Sequence, residues 1–404
     1  MADRVPRGKE NPQSPQLTYA IRKELDSIPG KIEAFQSLRV SKDLLPGKLR
    51  QSGAFEIERS RGHGERTGAR TGAEREFPDE RSGVQTCDLK NAVDPPPPPR
   101  QGGTVRKAFV LGAGLGTRLR PLTDLLPKPL IPVLNRPLVT WAFDALLAAG
   151  ATEFIVNTHH LAEAWPQAFP HRNWRGHRIQ FVHEHPVVLE TGGGIANIAP
   201  LVHDDSFWVF NGDILSDVPL AAAERLHLEQ RNLATLVLRS SGPNPNVTFD
   251  PDAGKVRDLR QALGTQPERF YQFTGIYLVH PDFLSFLRPV QESVVPAFLR
   301  AITEHDRLGG IVIDAGDWWD LGDAEAYLEA SAALAKRETF LGQPLAGLRI
   351  AHGAQVNPSA VIDGLTVLGE GCTVGPDARL EQCIVWPGAT VEAGAQLRRC
   401  VITA

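Results

Sequence analysis

Residues 107–137, KAFVLGAGLGTRLRPLTDLLPKPLIPVLNRP, say more about the fold than any other stretch of the chain. The first five are a short, continuously apolar run, as expected of a strand buried on both faces of a parallel sheet. The run feeds directly into Gly112, Ala113, Gly114, Leu115 and Gly116. A backbone carrying so little side chain lets a bound group approach closely and turns N–H groups toward phosphate oxygens. Arg118, after Thr117, offers a planar fork that matches phosphate geometry. Lys128, framed by Pro127 and Pro129, is a point charge on a constrained loop. Two better-known patterns do not fit. A dinucleotide fold wants GxGxxG opening a helix, but this is GxGxG, and Pro121, Pro127 and Pro129 stop any long helix. The P-loop pattern GxxxxGK[ST] is absent. A plain glycine-rich surface turn explains neither the Thr117–Arg118 pair nor the proline-framed lysine. The stretch reads as a phosphate-binding loop.

Outward from it, strands and helices alternate. EFIVN (residues 153–157), FWVF (207–210), ATLVL (234–238) and GIYLV (275–279) repeat the short apolar pattern. Between the first two strands, residues 137–149 place Leu138, Trp141, Ala142, Ala145, Leu146 and Ala149 at helical spacing, closed by Gly150. This alternation predicts an α/β sandwich with a mainly parallel sheet over residues 105–340. Ligands of such sheets sit beyond the carboxyl ends of the strands.

After residue 345 the period changes. Ile350, Val356, Ile362, Leu368, Val374 and Leu380 recur every six residues, and Val385, Val391 and Leu397 continue after one five-residue step. A six-residue aliphatic period with Gly and Pro between predicts a left-handed parallel β-helix of about three coils over residues 345–404. Its exposed coils are expected to mediate self-association. Residues 1–104 are different again. The segment EIERSRGHGERTGARTGAEREFPDER (56–81) is charged and glycine-rich, and five prolines, Pro95 to Pro99, follow as a stiff spacer. A disordered extension is expected there. An over-extended gene start would give the same pattern, since VRKAFVLGAG reads like a natural beginning.

Whole-chain composition excludes some partners. The 404 residues are 42% hydrophobic and 22% charged with a net charge of −4, which points neither to nucleic acid nor to an anionic membrane. No apolar run approaches the ~20 residues of a membrane helix, and the opening MADRVPRGKENPQ lacks the apolar core of a secretory signal. Cys87, Cys372, Cys383 and Cys400 form no CxxC motif and read as reduced thiols. A cytoplasmic location is the expectation.

The stretch GAGLGTRLRPLTDLLPKPLIPVLNRPL resembles the opening signature of the sugar-1-phosphate nucleotidyltransferases, also called sugar-nucleotide pyrophosphorylases. The resemblance runs over residues 107–335. It implies a Rossmann-like nucleotidyltransferase sandwich that takes a nucleoside triphosphate and a sugar 1-phosphate and releases pyrophosphate. It also implies a nucleotide site on Leu111, Gly112, Ala113, Gly114, Gly116 and Thr117, with Arg118 and Lys128 as the catalytic cations. Asp213, in FWVFNGDIL, and Asp320, in GDWWDLGDAEAY, match two aspartates that hold catalytic Mg²⁺ in the family, an all-oxygen set suited to a hard cation. Read alone, the first is a turn residue and the second a helix cap; Asp323 reads as a cap. LETGGGIANI (residues 189–198) resembles the segment lining the nucleobase, which nominates Gly192 and Gly193, with Glu184 beside the nucleotide; a loose turn feeding a helix is the alternative. FTGIYLVHPDF (273–283) resembles the strand flooring the sugar site, which nominates Thr274 and Gly275. Asn157, at the end of another strand in FIVNTHH, is a further sugar-site candidate, and His159 is a weaker one. His183 and His185 share a strand face without a third ligand, which argues against zinc.

One departure stands out. Many members carry a Glu-Lys-Pro triplet whose lysine grips the sugar phosphate, whereas this chain reads LRQALGTQPERFYQ (residues 259–272). Arg257 and Arg269 are candidate replacements. The loss points to a mannose-1-phosphate guanylyltransferase-like or N-acetylmuramate-1-phosphate uridylyltransferase-like branch. A catalytically inactive nucleotide-sugar-binding subunit is the rival reading, although Arg118, Lys128 and both aspartates are in place. An acyltransferase centred on the β-helix has only His352 in its favour.

Overall fold

In the computed structural model, which describes residues 104–404, ten strands form one twisted sheet. In chain order they are β1 (Lys107–Leu111), β2 (Glu153–Thr158), β3 (Asn173–Trp174), β4 (His177–His183), β5 (Phe207–Asn211), β6 (Ala234–Arg239), β7 (Val247–Asp250), β8 (Lys255–Leu259), β9 (Gln272–Val279) and β10 (Leu308–Val312). Their spatial order is β7-β8-β10-β6-β9-β5-β1-β2-β4-β3. The expected N-terminal extension and its proline run lie outside the described residues.

Seven strands run one way, as the parallel reading expects; β3, β8 and β9 run the other. GIYLV therefore lies in an antiparallel strand, β9, between β5 and β6. Its unbroken apolar run reflects helices on both faces of the sheet, and two-sided burial makes the sequence of either strand type look alike. Alternate residues feed two cores. Ala108, Val110, Trp208, Phe210, Ile276 and Leu278 pack on one face. Phe109, Phe207, Val209, Tyr277 and Val279 pack on the other. The predicted helix is α1 (Leu138–Ala148), with Pro137 at its start and Gly150 just beyond its end at φ +95°.

The tail folds as the six-residue period predicts. Its three parallel sheets have three short strands each and form the sides of a left-handed β-helix. Val356, Val374 and Val391 stand in register, as do Ile362, Leu380 and Leu397. Ile402 comes five residues after Leu397 and closes the third register with Leu368 and Val385. Cys372 and Cys383 are buried in the coil interior. The tail packs on the segment that follows the glycine loop. Asn135 donates to the carbonyls of Leu348 (2.9 Å) and Leu368 (2.8 Å), and Trp386 Nε1 donates to Tyr327 Oη. No helix among the described residues is long and apolar enough to cross a membrane.

One buried histidine ties the sheet to the helix that precedes β6. His227, 1% exposed, meets Thr235 Oγ1 through Nδ1 (3.0 Å) and Ser206 Oγ through Nε2 (3.3 Å). Burial, reinforced by His280 and Arg307, pushes its pKa down to about 3. The unfolded chain binds this proton more readily, so the stability His227 confers is complete above pH 6.5 and drains away as pH falls toward 3. Below pH 6.5 the wild type should lose about 1.4 kcal/mol per pH unit through this group. Urea unfolding at a series of pH values should show a shallower slope for His227→Gln between pH 6.5 and 5; equal slopes would refute the assignment.

A candidate nucleotidyl-transfer cleft

The order of strands places the glycine loop. β1 has β2 on one side and β5 on the other, so the chain leaves it at a point where the sheet's connections diverge. Crevices open at such points beyond the strands' carboxyl ends. A cleft of about 810 Å³ lies there, lined by Ala113, Gly114, Leu115, Gly116, Thr117 and Arg118 from the loop. Leu111, Lys128, Asn157, Asp213 and Asp320 line it as well.

Two local features bring the carboxylates together. The turn after β5 lies against the turn after β1: the Gly212 amide donates to Leu111 O at 3.1 Å. A Cβ on Gly212 would stand 2.3 Å from that oxygen, so any side chain there would part the two turns. Beyond it, Ile214–Ser216 pairs antiparallel with Trp318–Asp320, and the Leu321 amide donates to Asp213 O. Asp213 and Asp320, distant in sequence, thus become neighbours. Asp323 caps the next helix, as expected, accepting from Ala326 N at 3.0 Å.

The electrostatics follow from this proximity. Lys128, 7% exposed, donates to Asp213 Oδ2 at 2.8 Å. Asp320 is pushed above the usual carboxylate range by burial and then by the neighbouring Asp213 carboxylate; Lys128 and Arg118 pull it back only in part. Its Oδ1 is buried with no hydrogen-bond partner. The Arg118 guanidinium is exposed to the cleft and rests over Gly322, where an added Cβ would lie 2.9 Å from Nη2.

The other expected residues fall into two groups. Asn157 lines the cleft, but its amide is engaged: Oδ1 accepts from Gly112 N and Nδ2 donates to Glu184 Oε1, each at 2.7 Å. Glu184, 1% exposed, also accepts from Leu189 N, so it stands behind the cleft and shapes two loops. Gly112 likewise faces inward, against Asn157 O and Trp165. Gly192 and Gly193 open the short helix Glu190–Asn197, and their amides donate to Glu292 O rather than toward the cleft. Thr274 is fully buried, donating to Val237 O, and Gly275 packs on the Asn211 amide. His159 Nδ1 meets Glu184 O at 2.9 Å. Sequence reasoning missed Asn211, Asn244, Asn246, Arg260, Gln272 and Gly322, all of which line the cleft. Asn211 and Gly322 were readable beside Asp213 and Asp320; Asn244, Asn246 and Arg260 sit in loops without a pattern, and Gln272 is the first residue of β9.

Comparison with known proteins agrees with the architecture. The Nucleotidyl transferase family model matches residues 107–337. Mannose-1-phosphate guanylyltransferase of Mycobacterium tuberculosis is 34% identical over 304 residues, 72% of this chain and 83% of that protein. N-acetylmuramate alpha-1-phosphate uridylyltransferase of Neisseria meningitidis is 32% identical over 231 residues, 56% of this chain and 97% of that protein. Among solved structures, UDP-glucose pyrophosphorylase from Acinetobacter baumanii has a TM-score of 0.51 at 18% identity, covering 59% of this chain and 96% of that one; it supports the fold. With more than half of its length matched by the family model and most of a 34%-identical relative covered, this chain belongs to the nucleotidyl transferase family, among the sugar-1-phosphate nucleotidyltransferases.

Proposed function

We propose that the cleft transfers a nucleotidyl group from a nucleoside triphosphate to a sugar 1-phosphate, and that guanylyl transfer to mannose 1-phosphate is the first pairing to test. The observation that carries this reading is the convergence of Arg118, Lys128, Asp213 and Asp320 on one cleft. The choice of pairing follows the Mycobacterium tuberculosis relative, which aligns over the larger share of this chain.

The chemistry needs no covalent enzyme intermediate. A phosphate oxygen of the sugar 1-phosphate bonds to the α-phosphorus in line, the bond from that phosphorus to the β-phosphate's bridging oxygen breaks, and pyrophosphate departs with the electron pair. Both reactants are anions, so positive charge and alignment are the main requirements. Amides of the glycine loop and the Arg118 fork hold the departing pyrophosphate. Lys128, fixed by Asp213, stands where charge accumulates on the α-phosphate.

Asp213 and Asp320 fit a hard divalent cation. Asp320 has an orphaned buried oxygen, and its neighbour Asp213 disfavours its negative charge, a penalty that a cation between them would relieve. Mg²⁺ held there would neutralise phosphate charge.

The general test is pyrophosphate release with Mg²⁺ across UTP, GTP, dTTP, CTP and ATP, each with mannose, glucose and N-acetylmuramate 1-phosphates; no release in any combination overturns the reading. Lys128→Ala should lower kcat by on the order of a hundredfold or more while the folded far-UV spectrum persists. Near-wild-type turnover would remove Lys128 from the mechanism. Gly322→Ala meets only the flexible end of Arg118. It should leave the melting temperature nearly unchanged and still cut turnover by about tenfold as the guanidinium is displaced. Unchanged turnover would show that Arg118 does not need this seat.

A further inference from the structure

The loop after β8 has an unusual backbone. Arg260 and Gln261 are both left-handed, each at φ 57°. Two successive non-glycine residues in this region are strained, and such strain persists only where the surroundings enforce it. The enforcement is visible. Asp258, fully buried, collects the Leu263 amide (3.1 Å), the Thr265 amide (3.2 Å) and the Thr265 hydroxyl (2.9 Å) on its carboxylate. The Arg260 amide donates to Asn246 O at 2.7 Å. This collar turns Arg260 to the cleft, where it is exposed among Asn244, Asn246, Gln272 and Phe273.

The charge pattern says what it is for. Three cations line the cleft: Arg118, Lys128 and Arg260. Lys128 is tied to Asp213. Arg260 has no side-chain hydrogen bond, ion pair or ring contact to any other described residue, so its five donors are open. The nearby arginines are all engaged. Arg257 pairs with Asp250 (3.1 Å) and Asp306 (2.8 Å); Arg269 stacks on Tyr271; Arg239 donates to the carbonyls of Asp314 and Gly316. Neither expected replacement for the absent triplet lysine is therefore available. The glycine loop and Arg118 come from the β1 side of the cleft, whereas Arg260 comes from the β8 loop, on the far side of the sheet order.

We propose that Arg260 grips the phosphate of the sugar 1-phosphate with its planar fork, and that Asp258 is a positioning residue that sets the loop carrying it. This rests on the reaction proposed above and names how its second substrate is held. A strained left-handed arginine in place of an unstrained glycine makes sense if the side chain is needed and the backbone shape is needed with it.

The test uses the full chain with GTP and mannose 1-phosphate, or whichever pair the panel shows to be active. Arg260→Gly relieves the left-handed strain, so its melting temperature should equal or exceed the wild type's. Its KM for the sugar 1-phosphate should rise about ten- to hundredfold, while KM for the nucleotide stays within about twofold. Arg260→Lys should recover part of that loss, since it keeps the charge but not the fork. Asp258→Asn should raise the same KM and leave the nucleotide KM unmoved. Separately, sugar 1-phosphate should raise the melting temperature of the wild type but not of Arg260→Gly, and the unphosphorylated sugar should raise neither. A wild type without activity on any pair defeats the reaction and this inference together. An active wild type whose sugar-phosphate KM survives Arg260→Gly defeats this inference alone.

Discussion

The Lys128–Asp213 ion pair, 2.8 Å long, is the contact on which the cleft depends. It joins the loop after β1 to the turn after β5. A lysine left 7% exposed would be costly without a partner, since the ammonium gives up most of its hydration. Asp213 supplies that partner and so fixes where the lysine points. The same carboxylate also stands beside Asp320 and adds to the rise that burial gives its pKa. One acid thus stabilises a cation on one side and crowds an anion on the other. Removing either partner would leave an uncompensated charge, so the loop, the turn and the short ribbon carrying Asp320 hold one another in place.

Much of this was legible in the sequence, and the reason is local. Strands β1, β2, β5 and β6 announce themselves because a strand buried on two faces needs an unbroken apolar run. The tail announces itself because each side of a β-helix takes one inward aliphatic residue per six. Asp213 and Asp320 were readable through the family resemblance of FWVFNGDIL and GDWWDLGDAEAY; by local pattern alone the first is a turn residue and the second a helix cap. What stayed hidden depends on tertiary contacts. The direction of β9 cannot be read from GIYLV, since two-sided burial imposes the same pattern on either direction. Gly192 and Gly193 look like a ligand-facing turn, yet the Val290–Ser293 backbone that covers them lies about a hundred residues away. Arg260 was passed over because nothing in LRQALG marks two left-handed residues in succession; the collar that imposes them is built by Asp258 and the folded loop.

The tail shows a second rule once its register is known. From Val356 onward, the residue two places before each periodic aliphatic is small: Ala354, Ala360, Thr366, Cys372, Ala378, Cys383, Ala389, Ala395 and Cys400. Three of the four cysteines, Cys372, Cys383 and Cys400, therefore fall at this recurring small-residue position. Their spacing reflects coil geometry, which explains why it matched no metal or disulfide pattern. The tail also bears on the cleft. Asn135, seven residues after Lys128, anchors two tail carbonyls, and Ile131, Val133 and Leu134 between them share one core with Leu119, beside Arg118, and Leu122.

Charge balance explains how such a cleft avoids being a trap for anions. Its lining holds three cations, Arg118, Lys128 and Arg260, against three acids, Glu190, Asp213 and Asp320. Without a bound cation the two signs offset, and a free polyanion gains little from entering. On the proposed reading, Asp213 and Asp320 would hold the divalent cation of a metal-bound triphosphate, and the arginine forks would be left to the phosphates. The acids then favour the metal-bound nucleotide over the bare one. Because Arg118 and Arg260 enter from different parts of the sheet, the two proposals together would give each anion its own fork and set two separate positive charges against their mutual repulsion.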